Sequence, residues 1–181
     1  MNTFVMIDTE TLALTPDAVV LSIGAVAYTA ERGIFSRFEA FPNLDMQIKA
    51  GRRIDADTLT WWFKQSNEAR EEVSSATRYA VPGCARDLLS WVQFVSSGPT
   101  YFMANGTDFD LPILTSLFEG TQMPWDGRSG YKQKLCWRTL YNLYKAEIEF
   151  PTNATKHSAL ADAEAQGLAH LSLIAKRPYM A

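Results

Sequence analysis

Three short segments of this chain place acidic side chains and a histidine where they could do chemistry. The first is Asp8-Thr9-Glu10, which directly follows an apolar run. Residues i and i+2 of a strand project to the same face, so both carboxylates point one way. Two like charges side by side are unfavourable unless a cation lies between them. Taken alone, the pair also fits a solvated turn at a strand end. The second segment is Asn105-Gly106-Thr107-Asp108-Phe109-Asp110. Asp110 opens a predicted helix, whose first amides favour an anion, and an aspartate there is commonly only a cap. Asp108 competes for either role, but Leu111 and Leu114 after the Phe109-Asp110 pair favour Asp110. The third segment runs from His157 to Ala163. Ser158 fits an N-cap, which puts His157 just outside the helix. Asp162 then lies in a helix otherwise lined with alanine and leucine, where an acid without a partner is costly. Histidine titrates near neutral pH and can move a proton, although a lone histidine also fits a structural role. His157 follows a predicted loop, 151–155, that would let it sit away from the carboxylates when no substrate is bound. The other histidine, His170, sits mid-helix and reads as surface or packing.

The elements that must position these groups are legible in outline. Apolar, β-branched runs at 4–7, 19–28 and 34–41 read as strands, joined closely enough to form an antiparallel meander. The period then changes. Residues 57–64 and 67–75 read as helices with Asp57 and Asn67 as N-caps. Residues 82–96 read as another helix, with Leu88, Leu89, Val92 and Val95 on its apolar face. A short strand is predicted over 101–104 and a helix over 110–119, where Pro112 is tolerated in the first turn. Residues 122–133 read as a loop, 135–144 as helical or mixed, and 158–175 as a strong final helix. Three antiparallel strands followed by alternating helices and strands are the order of a ribonuclease H-like α/β fold.

Composition narrows the class. The chain has 181 residues, 47% of them hydrophobic and 20% charged, which fits one globular domain with a sizeable core. No apolar run approaches the roughly 18 residues of a membrane span. Nothing basic and apolar precedes the first strand, so no leader is expected. Cys84 and Cys136 form no paired motif and read as reduced thiols, which points to a cytoplasmic protein. The net charge of −3 argues against a protein that coats long duplexes. It leaves open an enzyme that grips a few terminal nucleotides, because cations held by carboxylates change the effective charge.

In their order along the chain, the three segments resemble the DnaQ-like 3′→5′ exonucleases, in the histidine-containing (DEDDh) branch of their superfamily. HSALADA carries most of the resemblance, then DTET, then the FD pair. The segment from Asp57 to Gln65 resembles a short phage and bacterial subgroup that includes mycobacterial 3′→5′ exoribonuclease-like proteins. The resemblance implies a single exonuclease domain over 1–181 with a mixed five-stranded sheet flanked by helices. It implies two ions of Mg²⁺ or Mn²⁺, one held by Asp8, Glu10 and Asp162, with Asp8 bridging to a second that Asp110 supports. His157 would be the general base, and the product a nucleoside 5′-monophosphate. Substrate contacts are expected from Thr11, Leu12, Trp61, Gln65 and Asn105. Leu12 holds the position that wedges against terminal bases in many relatives. Trp61 and Gln65 share a helical face by their i, i+4 spacing, and that face fits either nucleotide contact or core packing. In most relatives the asparagine stands closer to the FD pair than Asn105 does here. The expected partner is the 3′ end of single-stranded or overhanging DNA or RNA, with no membrane, and homodimerisation follows from the resemblance alone. The competing readings are a non-catalytic nucleic-acid-binding module, a structural or regulatory protein on the same fold, and a ribonuclease H-type endonuclease.

Overall fold

The computed structural model describes residues 2–125, 130–151 and 157–178. The strands are β1 (Thr3–Thr11), β2 (Val20–Thr29), β3 (Gly33–Ala40), β4 (Thr100–Ala104) and β5 (Lys134–Cys136). They form one sheet in the order β3-β2-β1-β4-β5. β1, β2 and β3 pair antiparallel, while β4 and β5 run parallel to β1. The expected meander and mixed five-stranded sheet are both present.

Alternation along β1 decides which groups share a face. Val5 and Ile7 pack into a core with Leu88 and Val92 of α4 (Val81–Val95) and Leu111 and Leu114 of α5 (Asp110–Leu117). Phe4 and Met6 point the other way, into a second core. That core holds Trp137 of α6 (Trp137–Tyr144) and Ala163, Ala169 and Ile174 of α7 (Ala159–Lys176). By the same period of two, Asp8 and Glu10 face α7 and Thr9 faces α5. Every residue of β2 is buried, because helices cover both sides of it.

α7 crosses β2 at very close range. A Cβ on Gly24 would lie 2.2 Å from backbone atoms of Ala159 and Leu160. Gly24 is the β2 partner of Asp8, so this contact brings the start of α7 beside the end of β1. His170, one of the expected packing positions, is buried from α7, with Nδ1 2.9 Å from the Tyr28 hydroxyl. Burial lowers its pKa to about 4, so it is a neutral core group.

Several local expectations need correction. The helix α2 (Ala56–Phe63) is preceded by Asp55, not capped by Asp57, which sits in its first turn. The helix α3 (Asn67–Ser75) is capped by Ser66, whose side chain accepts from the Ala69 N–H, so Asn67 is not the cap. Each of these helices starts before the apolar period becomes visible. The stretch 135–144 divides into strand and helix. The helix α1 (Leu44–Lys49) had no periodic signal, being only six residues long, and Asn43 caps it. Within the predicted loop 122–133, Tyr131–Gln133 form a 3₁₀ turn, and 126–129 lie outside the described residues. Of the predicted loop 151–155, residues 152–155 also lie outside them. No described helix is long and apolar enough to cross a membrane.

Candidate active site

The end of β1 and the start of α7 bring the acids together. Asp8 and Glu10 project from β1 toward α7. Gln166, one turn along α7 from Asp162, donates from Nε2 to Asp8 Oδ1 at 3.0 Å. Asp110 approaches from the opposite side. It is buried at the first turn of α5, and its Oδ1 accepts from the Thr9 N–H (3.0 Å) and the Thr9 hydroxyl (2.7 Å). Asp108 is exposed. The burial and bonding of Asp110 therefore settle which of the two acids joins β1.

Ser158 caps α7 as expected, its side chain accepting from the Ala161 N–H. The preceding residue, His157, takes a left-handed backbone with φ of 65°. That region costs a non-glycine residue roughly 1 kcal/mol or more. The conformation aims the His157 N–H at Asp162 Oδ2, 3.0 Å away. The imidazole stands edge-on to Trp61, with ring centroids 4.7 Å apart. Ligand atoms of Glu10, His157 and Asp162 all lie within 4.8 Å of one another. His157 thus already sits among the acids, against the expectation that it would lie apart without substrate.

The cleft has two lobes that meet at Glu10. The polar lobe, about 530 Å³, is lined by Asp8, Glu10, Asn105, His157, Asp162 and Gln166 together with the rings of Trp137, Tyr141 and Phe150. The apolar lobe, about 390 Å³, is lined by Glu10, Thr11, Leu14, Trp61 and Phe109, among others. Of the expected substrate contacts, Thr11, Trp61 and Asn105 line these lobes. Trp61 is 41% exposed, whereas Trp62 is buried and donates from Nε1 to the Thr11 carbonyl. The structure does not bring Leu12 or Gln65 into the cleft. Leu12 packs against the small core of Leu21, Trp62, Ala69 and Val73, and Leu14, 71% exposed, occupies the rim instead. Gln65 lies past the end of α2, where its amide donates back to the Trp61 carbonyl. The Asn105 carbonyl accepts from Arg138 Nη2 at 2.7 Å, which ties β4's end to α6.

Electrostatics makes this a cation-seeking cluster. Burial raises Asp8 well above the carboxylate range, with Asp110, Glu10 and Asp162 adding to the rise. Burial and the neighbouring Asp162 and Asp110 push Glu10 up to about 8. Asp110 rises to about 7 through burial, against the Thr9 hydrogen bonds and the positive charge of Arg138. Acids held together out of water gain protons unless a cation relieves them. The donor set of hard oxygens with one imidazole fits a divalent ion such as Mg²⁺ or Mn²⁺.

Sequence reasoning missed Gln166, Leu14 and Arg138. Gln166 had a usable signal, since its spacing from Asp162 puts both on one helical face. Arg138 had none, because its relation to Asn105 and Asp110 is purely tertiary.

Residues 3–173 match the family described as the 3′-5′ exoribonuclease Rv2179c-like domain. No curated protein matches the chain in sequence. Among solved structures, E. coli exonuclease I in complex with a 5cy-dA13 oligonucleotide superposes with a TM-score of 0.65 and 14% identity, covering 98% of this chain and 41% of its own. The same enzyme with a dT13 oligonucleotide gives 0.66 and 16%, covering 99% and 42%. A full-length 3′-exonuclease gives 0.61 and 12%, covering 97% and 82%. At these identities the likeness is one of fold, the ribonuclease H-like sheet with its flanking helices. The chain spans about two fifths of the length of exonuclease I.

Proposed function

The chain belongs to the 3′-5′ exoribonuclease Rv2179c-like domain family, and from that premise we propose that residues 1–181 act as one domain that hydrolyses nucleic acid stepwise from its 3′ end. The observation that carries this reading is the cleft itself. Asp8, Glu10, His157 and Asp162 line one polar lobe, and Glu10 joins it to an apolar lobe walled by Trp61, Leu14 and Phe109.

Asp8, Glu10 and Asp162 would hold one Mg²⁺ or Mn²⁺, and Asp8 with Asp110 a second. When bound, such ions would supply the Lewis acidity that an in-line displacement by water needs. The protein's own groups do the rest. Thr9 holds Asp110 through two hydrogen bonds, so that carboxylate cannot turn away. His157, held by its N–H bond to Asp162, takes the proton from the attacking water. The terminal base rests in the apolar lobe against Trp61 and Leu14, and Asn105 borders the phosphates. Leu12 and Gln65 support that lobe from behind, through the Trp62 core and the end of α2. The products are nucleoside 5′-monophosphates.

Exonuclease I is known in complex with dA13 and dT13 oligonucleotides, and the family carries an exoribonuclease description, so we infer a single-stranded or overhanging 3′ end of DNA or RNA. A cytoplasmic location and a homodimer belong to the same reading, and sedimentation of the purified protein checks the latter.

The deciding experiment digests matched 5′-labelled DNA and RNA oligonucleotides with and without Mg²⁺. The expected result is a shortening ladder on both sugars, strongly slowed by a 3′-phosphate and abolished by chelation. DNA and RNA rates should differ by less than about a thousandfold, or roughly 4 kcal/mol. Early release of the labelled 5′ nucleotide, internal cuts, or full activity in excess EDTA would refute the reading.

A further inference from the structure

Asp162, Gln166 and His170 stand at i, i+4 and i+8 on α7, one polar stripe on the helix face that meets the sheet. Asp162 borders the cleft, and His170 is satisfied by Tyr28. Gln166 is different. Its side chain is 6% exposed, its Nε2 donates to Asp8, and its Oε1 is buried with no hydrogen-bond partner. With Asp8 ionised, as a metal ligand is, the amide nitrogen must face it, because turning Oε1 toward the carboxylate would oppose two acceptors. A buried carbonyl left unpaired is destabilising, and an apolar residue of similar size would avoid that cost. Packing alone therefore does not account for a glutamine here.

We propose that Gln166 is a positioning residue of the metal site: its amide nitrogen fixes the Asp8 carboxylate for the cation. The inference rests on the reading of Asp8 as a metal ligand. It makes the amide a brace on one ligand, acting through Asp8 and not on the substrate.

The test is titration of the purified protein with Mn²⁺, followed by calorimetry or by the electron paramagnetic resonance of the free ion. Wild type, Gln166→Met, Gln166→Asn and Asp8→Asn are compared, each with its melting temperature in EDTA. Met keeps the volume and removes both polar ends, while Asn keeps an amide but draws it back by one methylene. Both should weaken Mn²⁺ binding by roughly 10- to 100-fold, the usual worth of a group that orients a metal ligand. The metal-free melting temperature of Gln166→Met should hold or rise, since the unpaired carbonyl is gone. Hydrolysis at limiting Mn²⁺ should fall and recover as Mn²⁺ is raised, which a merely structural role would not produce. Mn²⁺ affinity within twofold of wild type in both folded variants, or losses that simply follow a lower melting temperature, would overturn the proposal. If Asp8→Asn binds Mn²⁺ as wild type does, the reading of the site itself has failed, and the role of Gln166 falls with it.

Discussion

Gly24→Ala adds one methyl group where β2 and α7 leave no room for it. The new Cβ would stand 2.2 Å from the Ala159 carbonyl carbon and the Leu160 nitrogen, and 2.4 Å from the Ala159 oxygen. Ordinary contacts between such atoms are about 3.5–4.0 Å. All three neighbours are backbone, so no side chain can swing aside. The first turn of α7 must lift by about 1 Å or more, and it carries Ser158, Asp162 and the adjoining His157. Gly24 pairs with Asp8, so the lift opens the gap between the acids of β1 and the acid of α7. Overpacking of this kind costs roughly 1–3 kcal/mol of stability. A 1 Å misplacement of catalytic groups costs on the order of 10²-fold in turnover. Gly167→Ala is the matched control on the same helix. Its Cβ would meet Val26 Cγ2 at 3.0 Å and Tyr28 Cε1 at 3.4 Å, side-chain atoms that can yield, and it lies beyond Asp162. Alanine also gains about 1 kcal/mol in helix propensity over glycine. Gly167→Ala should therefore keep turnover within roughly threefold of wild type, less than 1 kcal/mol. The measurements are kcat on a 5′-labelled oligonucleotide, Mn²⁺ affinity and melting temperature for both variants. Wild-type turnover and Mn²⁺ affinity in Gly24→Ala, or equal losses in the two variants, would refute the argument.

Metal removal should invert the pH dependence of stability. Glu10 and Asp110 rise from 4.5 to about 8 and from 3.8 to about 7, so without metal the fold favours their neutral forms. That stabilisation is full below about pH 4 and is lost progressively as pH rises from there to about 7 for Asp110 and about 8 for Glu10, by up to roughly 5 kcal/mol for Glu10. In EDTA the melting temperature should fall over that window, and Mg²⁺ should restore it most at high pH; a flat or rising profile in EDTA contradicts the cluster's electrostatics. His157→Ala should cut kcat by roughly 10²- to 10⁴-fold with metal affinity and melting nearly unchanged, while Asp162→Asn loses turnover and metal binding together. Near-normal turnover with early melting in His157→Ala would make the histidine structural. Thr9→Val removes the 2.7 Å hydroxyl bond to Asp110 and should cost about 1.5–3 kcal/mol in the metal-loaded protein at neutral pH, read as chemical denaturation in Mg²⁺. Both tryptophans line the apolar lobe, but Trp61 is exposed there and abuts His157, so Trp61→Ala should raise KM and lower kcat. Trp62 is buried, so Trp62→Ala should chiefly destabilise, by roughly 3–5 kcal/mol. Equal melting losses for the two tryptophan variants would contradict their assignment to cleft and core.

The spacing of the acids and the order of the elements were legible without coordinates because they follow from local geometry. A strand's period of two puts Asp8 and Glu10 on one face whatever surrounds them, and Ser158 caps α7 through a bond three residues away. The motif order likewise carried the family. Neighbouring apolar residues were a different matter. Trp61 and Trp62 are equivalent in composition, and only the docking of α2 on Thr11 buries one and turns the other to the cleft. The wedge position expected of Leu12 fell to Leu14, which the sequence did not single out. The register of β1 against β2 shifts between Glu10 and Thr11, just before both, and an irregularity there cannot be read from alternation. Asp110 depends on Thr9, 101 residues away, Gln166 depends on Asp8, 158 residues away, and the gap for α7 depends on Gly24. The chain alone therefore determined which groups could hold a cation and move a proton, because residue type and short-range periodicity are local. Which of them meet, which are braced and which face the cleft was decided by the tertiary structure, because those contacts exist only once distant segments pack at fixed separations.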